Sequence, residues 1–423
     1  MIQLYKVMVT ILYPLLILLI YFRKLINKED PIRFKEKIFP NSFKVKYSKD
    51  AHLIWFHAAS IGELKSIFPI IDELNTLKKN FKFLITTTTL SSGKIAEIEL
   101  GHIKNIEHRY FPLDVPFLIK IFLKQWKPDC IFLVDSEIWP NLLFQVDKFD
   151  IPIALINARL TSKSFSRWMI FPNVAKEIFK KFNFFICSNQ ETKEFLHKLN
   201  LKNVFFKGNI KFIGKIDASK IHDTNENYLI NNKVWLAAST HKNEDEFCIK
   251  THLEIKNKIK DIKTIIVPRH VERSKKIYDL AKKFKLKVQI LNKDEKINEK
   301  SEIVIINYFG ALQNYFKYIK SVFIGKSLSK KFEKNGGQNP IEAAKLNCKI
   351  YHGQYVYNFQ DIYKILEENN LSQKIYNHKE LSKNLIQDLI KTDKKKYELS
   401  NEIKRIEQKT LDDTMKIIKS FIL

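Results

Sequence analysis

The feature that most constrains this chain is an alternation, run twice, of short apolar segments with longer amphipathic ones. Residues 52–56, 81–86, 130–134, 153–156 and 184–187 are rich in Ile, Phe and Leu, and each is followed by a turn or a helical pattern. After the first of them, Leu64, Ile67, Phe68, Ile71 and Leu74 recur at helical spacing. Short runs that are apolar throughout suit strands buried on both faces. A β-then-α order then calls for crossover helices, hence a parallel sheet. The pattern restarts after Lys211, with strand candidates at 234–238, 264–267, 288–291, 303–306, 321–324 and 349–351. A polar stretch without period, 213–227, separates the two halves. At 423 residues the chain is too long for one core. The simplest architecture is α/β: two doubly wound Rossmann-like domains facing a central cleft, with ligands at the strand C-terminal ends. The expected domains are 25–212 and 228–423, joined by the linker 213–227. The charged amphipathic helix beyond Leu371 is free to pack back on the first.

The N-terminus is different. Residues 7–22 carry no charge, are almost wholly apolar and are followed by Arg23, Lys24 and Lys28. As a helix they rise roughly 24 Å, somewhat short of a hydrocarbon core of about 30 Å, and Pro14 interrupts them. A signal peptide needs a small-residue cleavage site, and none follows. A single membrane anchor over residues 1–24 is the expectation, and positive charge on its inner side places the body in the cytoplasm. The basic linker 24–50 then offers Arg33, Lys35 and Lys37 to anionic headgroups.

The formal net charge of +27 favours an anionic partner: nucleic acid, acidic membrane or acidic substrate. The excess is nearly all lysine, spread along the chain among Asn and Ile, so compositional bias explains it equally well. Arginine is scarce by contrast, and Arg109, Arg159, Arg167, Arg269 and Arg273 fall in motif-like segments. Its planar fork grips carboxylate and phosphate in a way lysine does not. Cys130, Cys187, Cys248 and Cys348 have no paired spacing, which argues against a zinc site or a disulfide framework and fits a reducing compartment.

Several strand ends carry chemistry. His57-Ala58-Ala59-Ser60-Ile61-Gly62-Glu63 passes from strand to turn to helix. Ser60 and Glu63 have the spacing of a capping box, the stronger reading on spacing alone; the functional reading makes Glu63 a general base that accepts a hydroxyl proton. Asp135, Glu137 and Trp139-Pro140 follow another strand, without the histidine or third carboxylate a metal would ask for. Asn157-Ala158-Arg159 follows the next. In the second half, Ser239-Thr240-His241 and Pro268-Arg269-His270 with Arg273 end two strands, where an arginine facing a helix start makes an anion clamp. Gly325-Lys326-Ser327 precedes Gly336-Gly337-Gln338-Asn339-Pro340-Ile341-Glu342. There the Gly-Gly turn is expected to offer free amides to a phosphate, and Glu342 to accept from ribose hydroxyls.

Taken in order, these segments resemble the bacterial 3-deoxy-D-manno-octulosonic acid (Kdo) transferases, which have the GT-B glycosyltransferase fold. The resemblance runs from the apolar N-terminus to about residue 370. It rests on the segments above with Thr86-Thr87-Thr88-Thr89, Pro112-Leu113-Asp114-Val115-Pro116, Gly208-Asn209-Ile210-Lys211-Phe212 and Asn358-Phe359. It implies inverting transfer of Kdo from CMP-Kdo to a lipid A precursor, without metal or cofactor, at the bacterial inner membrane and with no nucleic-acid partner. It implies Glu63 as the base, with Ser60, Asp135, Glu137 and Arg159 supporting it on the acceptor side. Donor contacts are expected from Lys211, Ser239, Thr240, His241, Arg269, His270, Ser327, Gly336, Gly337, Asn339 and Glu342. The chain departs from the family at Asp135, where glutamate is usual, at Lys326, where glycine is usual, and at Gln338 and Gln354. The alternatives are a GT-B transferase using a UDP-sugar and a non-catalytic membrane protein binding anionic lipid.

Overall fold

The computed structural model describes residues 2–40, 51–77, 79–101, 103–214, 216–390 and 394–422. The end of the expected basic linker, 41–50, lies outside them. The chain divides into two compact units, Met1–Lys215 with Glu407–Leu423, and Ile216–Ile406.

The first unit is built on a parallel sheet of seven strands: β1 (His52–His57), β2 (Phe81–Thr87), β3 (Ile106–Tyr110), β4 (Cys130–Val134), β5 (Ile153–Ala158), β6 (Phe184–Cys187) and β7 (Val204–Phe206). Their spatial order is β3-β2-β1-β4-β5-β6-β7. Alternate residues of one strand feed opposite faces. Leu53 and Trp55 join Leu84, Ile131, Leu133 and Leu155 in one core. Ile54 and Phe56 join Phe83, Ile85, Phe132 and Ile156 in the other. Two buried faces explain why these runs are apolar throughout.

The edge strand β3 is charged, which hid it from the apolar pattern. Side chains cover its open edge: Arg33 donates to the His108 carbonyl at 2.8 Å, and the Tyr110 amide donates to Glu36 at 2.7 Å. Arg33 also pairs with Glu36 and Glu97, and Lys37 is buried against Glu29 and the Thr88 carbonyl. Both cations are therefore occupied inside the unit, and of the three expected to meet headgroups only Lys35 is exposed.

Helix α1 (Ile2–Leu25) is long and apolar enough to cross a membrane. It lies along the first unit for most of its length. Tyr5 donates to Asp114 at 3.2 Å and Tyr13 to the Ile38 carbonyl at 2.7 Å. Tyr13 packs edge-on against Phe117, Tyr21 against Phe34, and Ile20 is buried with Phe34 and Ile38. Leu4, Ile11, Leu15, Leu18, Phe22 and Leu25 form the opposite face, and each is more than half exposed.

The second unit repeats the plan with β8 (Val234–Thr240), β9 (Lys263–Pro268), β10 (Val288–Leu291), β11 (Ile303–Ile306), β12 (Ser321–Ile324), β13 (Lys349–His352) and β14 (Ser372–Lys374), in the order β10-β11-β9-β8-β12-β13-β14. All its pairings are parallel. The last helix, Lys394–Ile422, ends on the first unit. Met415 and Ile418 are buried in its core, Phe421 packs edge-on to Phe184, and Lys419 pairs with Glu73 at 2.9 Å. Gly208, in the left-handed region at φ +93°, lies so close to this helix that a side chain would press on Thr410.

Candidate active site

In each sheet the chain runs outward to one side of its first strand and then returns to the other. The reversal falls between β1 and β4 in the first unit and between β8 and β12 in the second. Beyond the carboxyl ends of such a strand pair the connections diverge and leave a crevice, the usual ligand position in doubly wound sheets. The segments read from the sequence meet at these two places.

In the first unit, Glu63 stands in the first turn of α2 (Ile61–Thr76), just past β1. It completes the capping box: its carboxylate accepts from the Ser60 hydroxyl at 2.7 Å and from the Ala59 amide at 2.8 Å, while its own amide reaches back to Ser60 Oγ. The side chain is nevertheless only partly buried. Burial raises its proton affinity above the ordinary carboxylate value, and Asp135 and Glu137 add to the rise, while the Ser60 hydrogen bond opposes it. A side chain at Gly62 would meet nothing within 4 Å, so packing leaves open space beside this residue.

Asp135 follows β4 in the left-handed region, at φ +66°, and accepts from Lys211 Nζ at 2.6 Å. Lys211 is placed by Asn157, whose side chain accepts from the Ile210 amide at 3.1 Å, and by Asn209, which accepts from the Lys211 amide. Lys211, read from the sequence as a donor contact, thus belongs to the acidic cluster of the first unit. Arg159 is partly exposed at the end of β5, and its amide donates to the Asp135 carbonyl at 3.1 Å.

Glu137 is held from two sides that sequence reasoning did not single out. Trp139 Nε1 donates to its Oε2 at 2.8 Å, and His57 Nε2 lies 3.2 Å from the same oxygen. His57 is fully buried, stacked on Phe111, with Nδ1 at 2.9 Å from Thr86 Oγ1. Trp55 Nε1 donates to that hydroxyl at 2.9 Å. His57 Nδ1 also lies 3.2 Å from the Thr86 carbonyl, so Thr86 holds one edge of the ring while Nε2 faces Glu137. Among the described residues no three His, Cys, Asp or Glu side chains are grouped to hold a metal ion.

The second crevice is cationic. Arg269 and His270 are exposed just past β9, and His241 follows β8. Burial and the nearby charges of Lys326, His270, Arg273 and Lys331 hold His241 down to about 4. Arg273 donates to the Thr240 carbonyl at 2.9 Å and pairs with Asp245, so it braces the crevice. The carboxylate of Glu244, buried at the start of α3 (Glu244–Lys256), accepts the amides of His241, Lys326, Ser327 and Leu328 at 2.7–3.2 Å. These four amides are therefore already satisfied.

Not every expected donor contact faces this crevice. Thr240 and Ser327 are fully buried and Ser239 nearly so. The Ser327 hydroxyl donates to the Ile324 carbonyl and accepts from the Gly353 amide. The Gly-Gly amides are not free: Gly336 donates to the Phe332 carbonyl and Gly337 to that of Lys326. Glycine is needed there for a different reason, since Gly336 is packed on the carbonyls of Tyr355 and Phe332, and Gly337, at φ +86°, on Val356. Asn339 is exposed and its side chain accepts from the Ile341 amide at 3.1 Å, at the start of the short helix Ile341–Lys345, where Glu342 is partly exposed.

The model of the family described as 3-Deoxy-D-manno-octulosonic-acid transferase (kdotransferase) matches residues 33–213. The 3-deoxy-D-manno-octulosonic acid transferase of Rickettsia bellii is 31% identical over the whole of both chains. That of Haemophilus influenzae is 28% identical over 74% of each. A glycosyltransferase structure from Rickettsia africae, 10% identical, superposes with a TM-score of 0.58 over 88% of this chain and 98% of its own, a likeness of fold alone. The architecture is GT-B, and the chain belongs to the Kdo transferases, glycosyltransferases of lipopolysaccharide synthesis.

Proposed function

We propose that the enzyme moves Kdo from CMP-Kdo to a hydroxyl of a phosphorylated lipid A precursor, with inversion at the anomeric carbon. The observation that carries this reading is Glu63, a partly buried carboxylate of raised proton affinity at the strand-order reversal of the first unit. It takes the acceptor hydroxyl proton as that oxygen bonds to the anomeric carbon. The bond to the phosphate oxygen breaks and CMP leaves with its electrons. Leaving CMP gains negative charge, which Arg269 and His270 in the second unit are suited to stabilise. Lys211, Asp135, Glu137 and Arg159 frame the base, with Lys211 limiting the repulsion among the three carboxylates.

The outer face of α1 is the part of the first unit that we place in the acyl layer of the inner membrane. Its inner face is used by the unit itself, so the helix lies along the surface of the bilayer. The exposed Lys28 and Lys35 meet anionic headgroups on the cytoplasmic side. The test incubates purified protein with a Kdo-free lipid A precursor and either CMP-Kdo or UDP-sugars, and follows lipid mass. A gain of one Kdo mass or more with CMP-Kdo is expected; a gain with UDP-sugars alone overturns the reading.

A further inference from the structure

Lys326 is the first residue after Gly325 at the end of β12, and its φ is +60°. An L-residue with a long side chain is strained in this conformation, and glycine is not. Lys127 and Lys285 adopt the same conformation, but each lies within two residues of a helix C-terminus, where a left-handed residue commonly ends the helix. Lys326 ends no helix. Its backbone is fixed from both sides, with its amide donating to Glu244 Oε2 at 2.7 Å and its carbonyl accepting from the Gly337 amide at 2.8 Å. The turn therefore holds a strained lysine where the fold would accept glycine more easily, a pattern that marks functional positions.

Its surroundings are short of negative charge. The strands β9, β8 and β12 are neighbours in the sheet, and Arg269, His241 and Lys326 follow within two residues of their ends. Glu244, bonded to this turn, is saturated by four amides, and its neighbour Asp245 is taken by Arg273. Among the described residues neither Lys326 nor Arg269 has a carboxylate partner. Partial burial and the Arg269 guanidinium lower the proton affinity of the Lys326 ammonium. Like charges gathered in a half-buried place without a counter-ion are unfavourable until an anion arrives.

We propose that Lys326 binds the anionic part of the sugar nucleotide, forming with Arg269 a cationic seat over the strand ends that flank β8, beside the His241 imidazole. The inference rests on the reading of this crevice as the donor site. The anion is either the phosphate or the sugar carboxylate, and both offer an oxygen to the ammonium.

The full-length protein and its Lys326→Gly and Lys326→Gln variants are compared by calorimetry with CMP and with CMP-Kdo, by melting temperature and by steady-state kinetics. Lys326→Gly is expected to melt at or above the wild-type temperature and yet bind donor roughly tenfold or more weakly, the usual scale for losing a charged hydrogen bond. The donor KM rises with it, and kcat changes far less. Lys326→Gln keeps the strain and loses the charge, so it weakens binding without the gain in melting temperature. Equal weakening for CMP and CMP-Kdo identifies the phosphate; weakening for CMP-Kdo alone identifies the carboxylate. Unchanged affinity for both ligands in both variants overturns the assignment of Lys326 while leaving the donor reading intact. Wild-type protein that binds neither ligand refutes the donor reading, and this inference with it.

Discussion

Glu63→Gln separates a capping residue from a catalytic base, because glutamine keeps one role and loses the other. Its amide oxygen can still accept from the Ala59 amide, now 2.8 Å from the carboxylate, and its amide NH2 can donate to Ser60 Oγ. The cap, worth about 0.5–2 kcal/mol in general, is thus retained. Removing the charge also ends the cost of burying it near Asp135 and Glu137, so the melting temperature should hold or rise. Transfer chemistry has no such replacement. An amide does not take the acceptor proton, and kcat should fall roughly 10²–10⁴-fold, the range general bases supply. The assay is lipid mass gain at saturating CMP-Kdo, with donor affinity measured in parallel and expected to be largely kept. pH gives a second reading. Glu63 works ionised, so the wild-type rate should climb as pH rises through its raised value, and the variant should lose that limb. Stability runs the opposite way. A carboxyl with raised proton affinity in the folded state stabilises below the ordinary carboxylate range, and this is lost as pH rises through the raised value. The melting temperature of wild type should therefore fall relative to the variant across that window. A variant with near-wild-type kcat and an unaltered pH limb would show that Glu63 only caps its helix.

Three further outcomes are expected. Arg269→Lys should weaken CMP binding in calorimetry, because the forked geometry is lost while the charge stays; unchanged affinity removes Arg269 from the phosphate. Gly336→Ala should destabilise by about 1–3 kcal/mol, since a methyl group there would overlap the carbonyls of Tyr355 and Phe332, and thermal melting of the second unit should show it. Leu15→Glu combined with Leu18→Glu should release the protein from anionic vesicles in flotation without lowering its melting temperature. Both positions lie on the exposed face of α1, so a large loss of stability would contradict the docked helix.

Much of the fold is legible in the amino-acid order. Apolar runs such as 130–134 and 303–306 coincide with β4 and β11 because strands buried on both faces leave no room for polar residues. β3 and β7 are not legible in this way. β3 carries Glu107, His108 and Arg109 and is shielded by Arg33 and Glu36, while β7 has only three residues. The segments at the strand ends are readable as a set, and the reversal of strand order explains why they are close. Their internal bonding is not readable. Glu244 has the look of one more helix-opening acid, yet it saturates a four-amide turn. His57, to which spacing alone gives no role, orients Glu137 from a position shut off from solvent.

Local sequence sets the two parallel sheets, the crossovers and the identity of the groups at their ends, because apolar runs and periodicity are local properties. Which of those groups remain free is settled by packing between distant segments. Gly336 and Gly337 lost their amides to neighbouring carbonyls, Arg33 and Lys37 were taken up by internal carboxylates, and Lys326 and Arg269 kept their charge without a carboxylate partner among the described residues. Whether a polar group is occupied or available depends on partners far away in the chain, and nothing in its own segment encodes them.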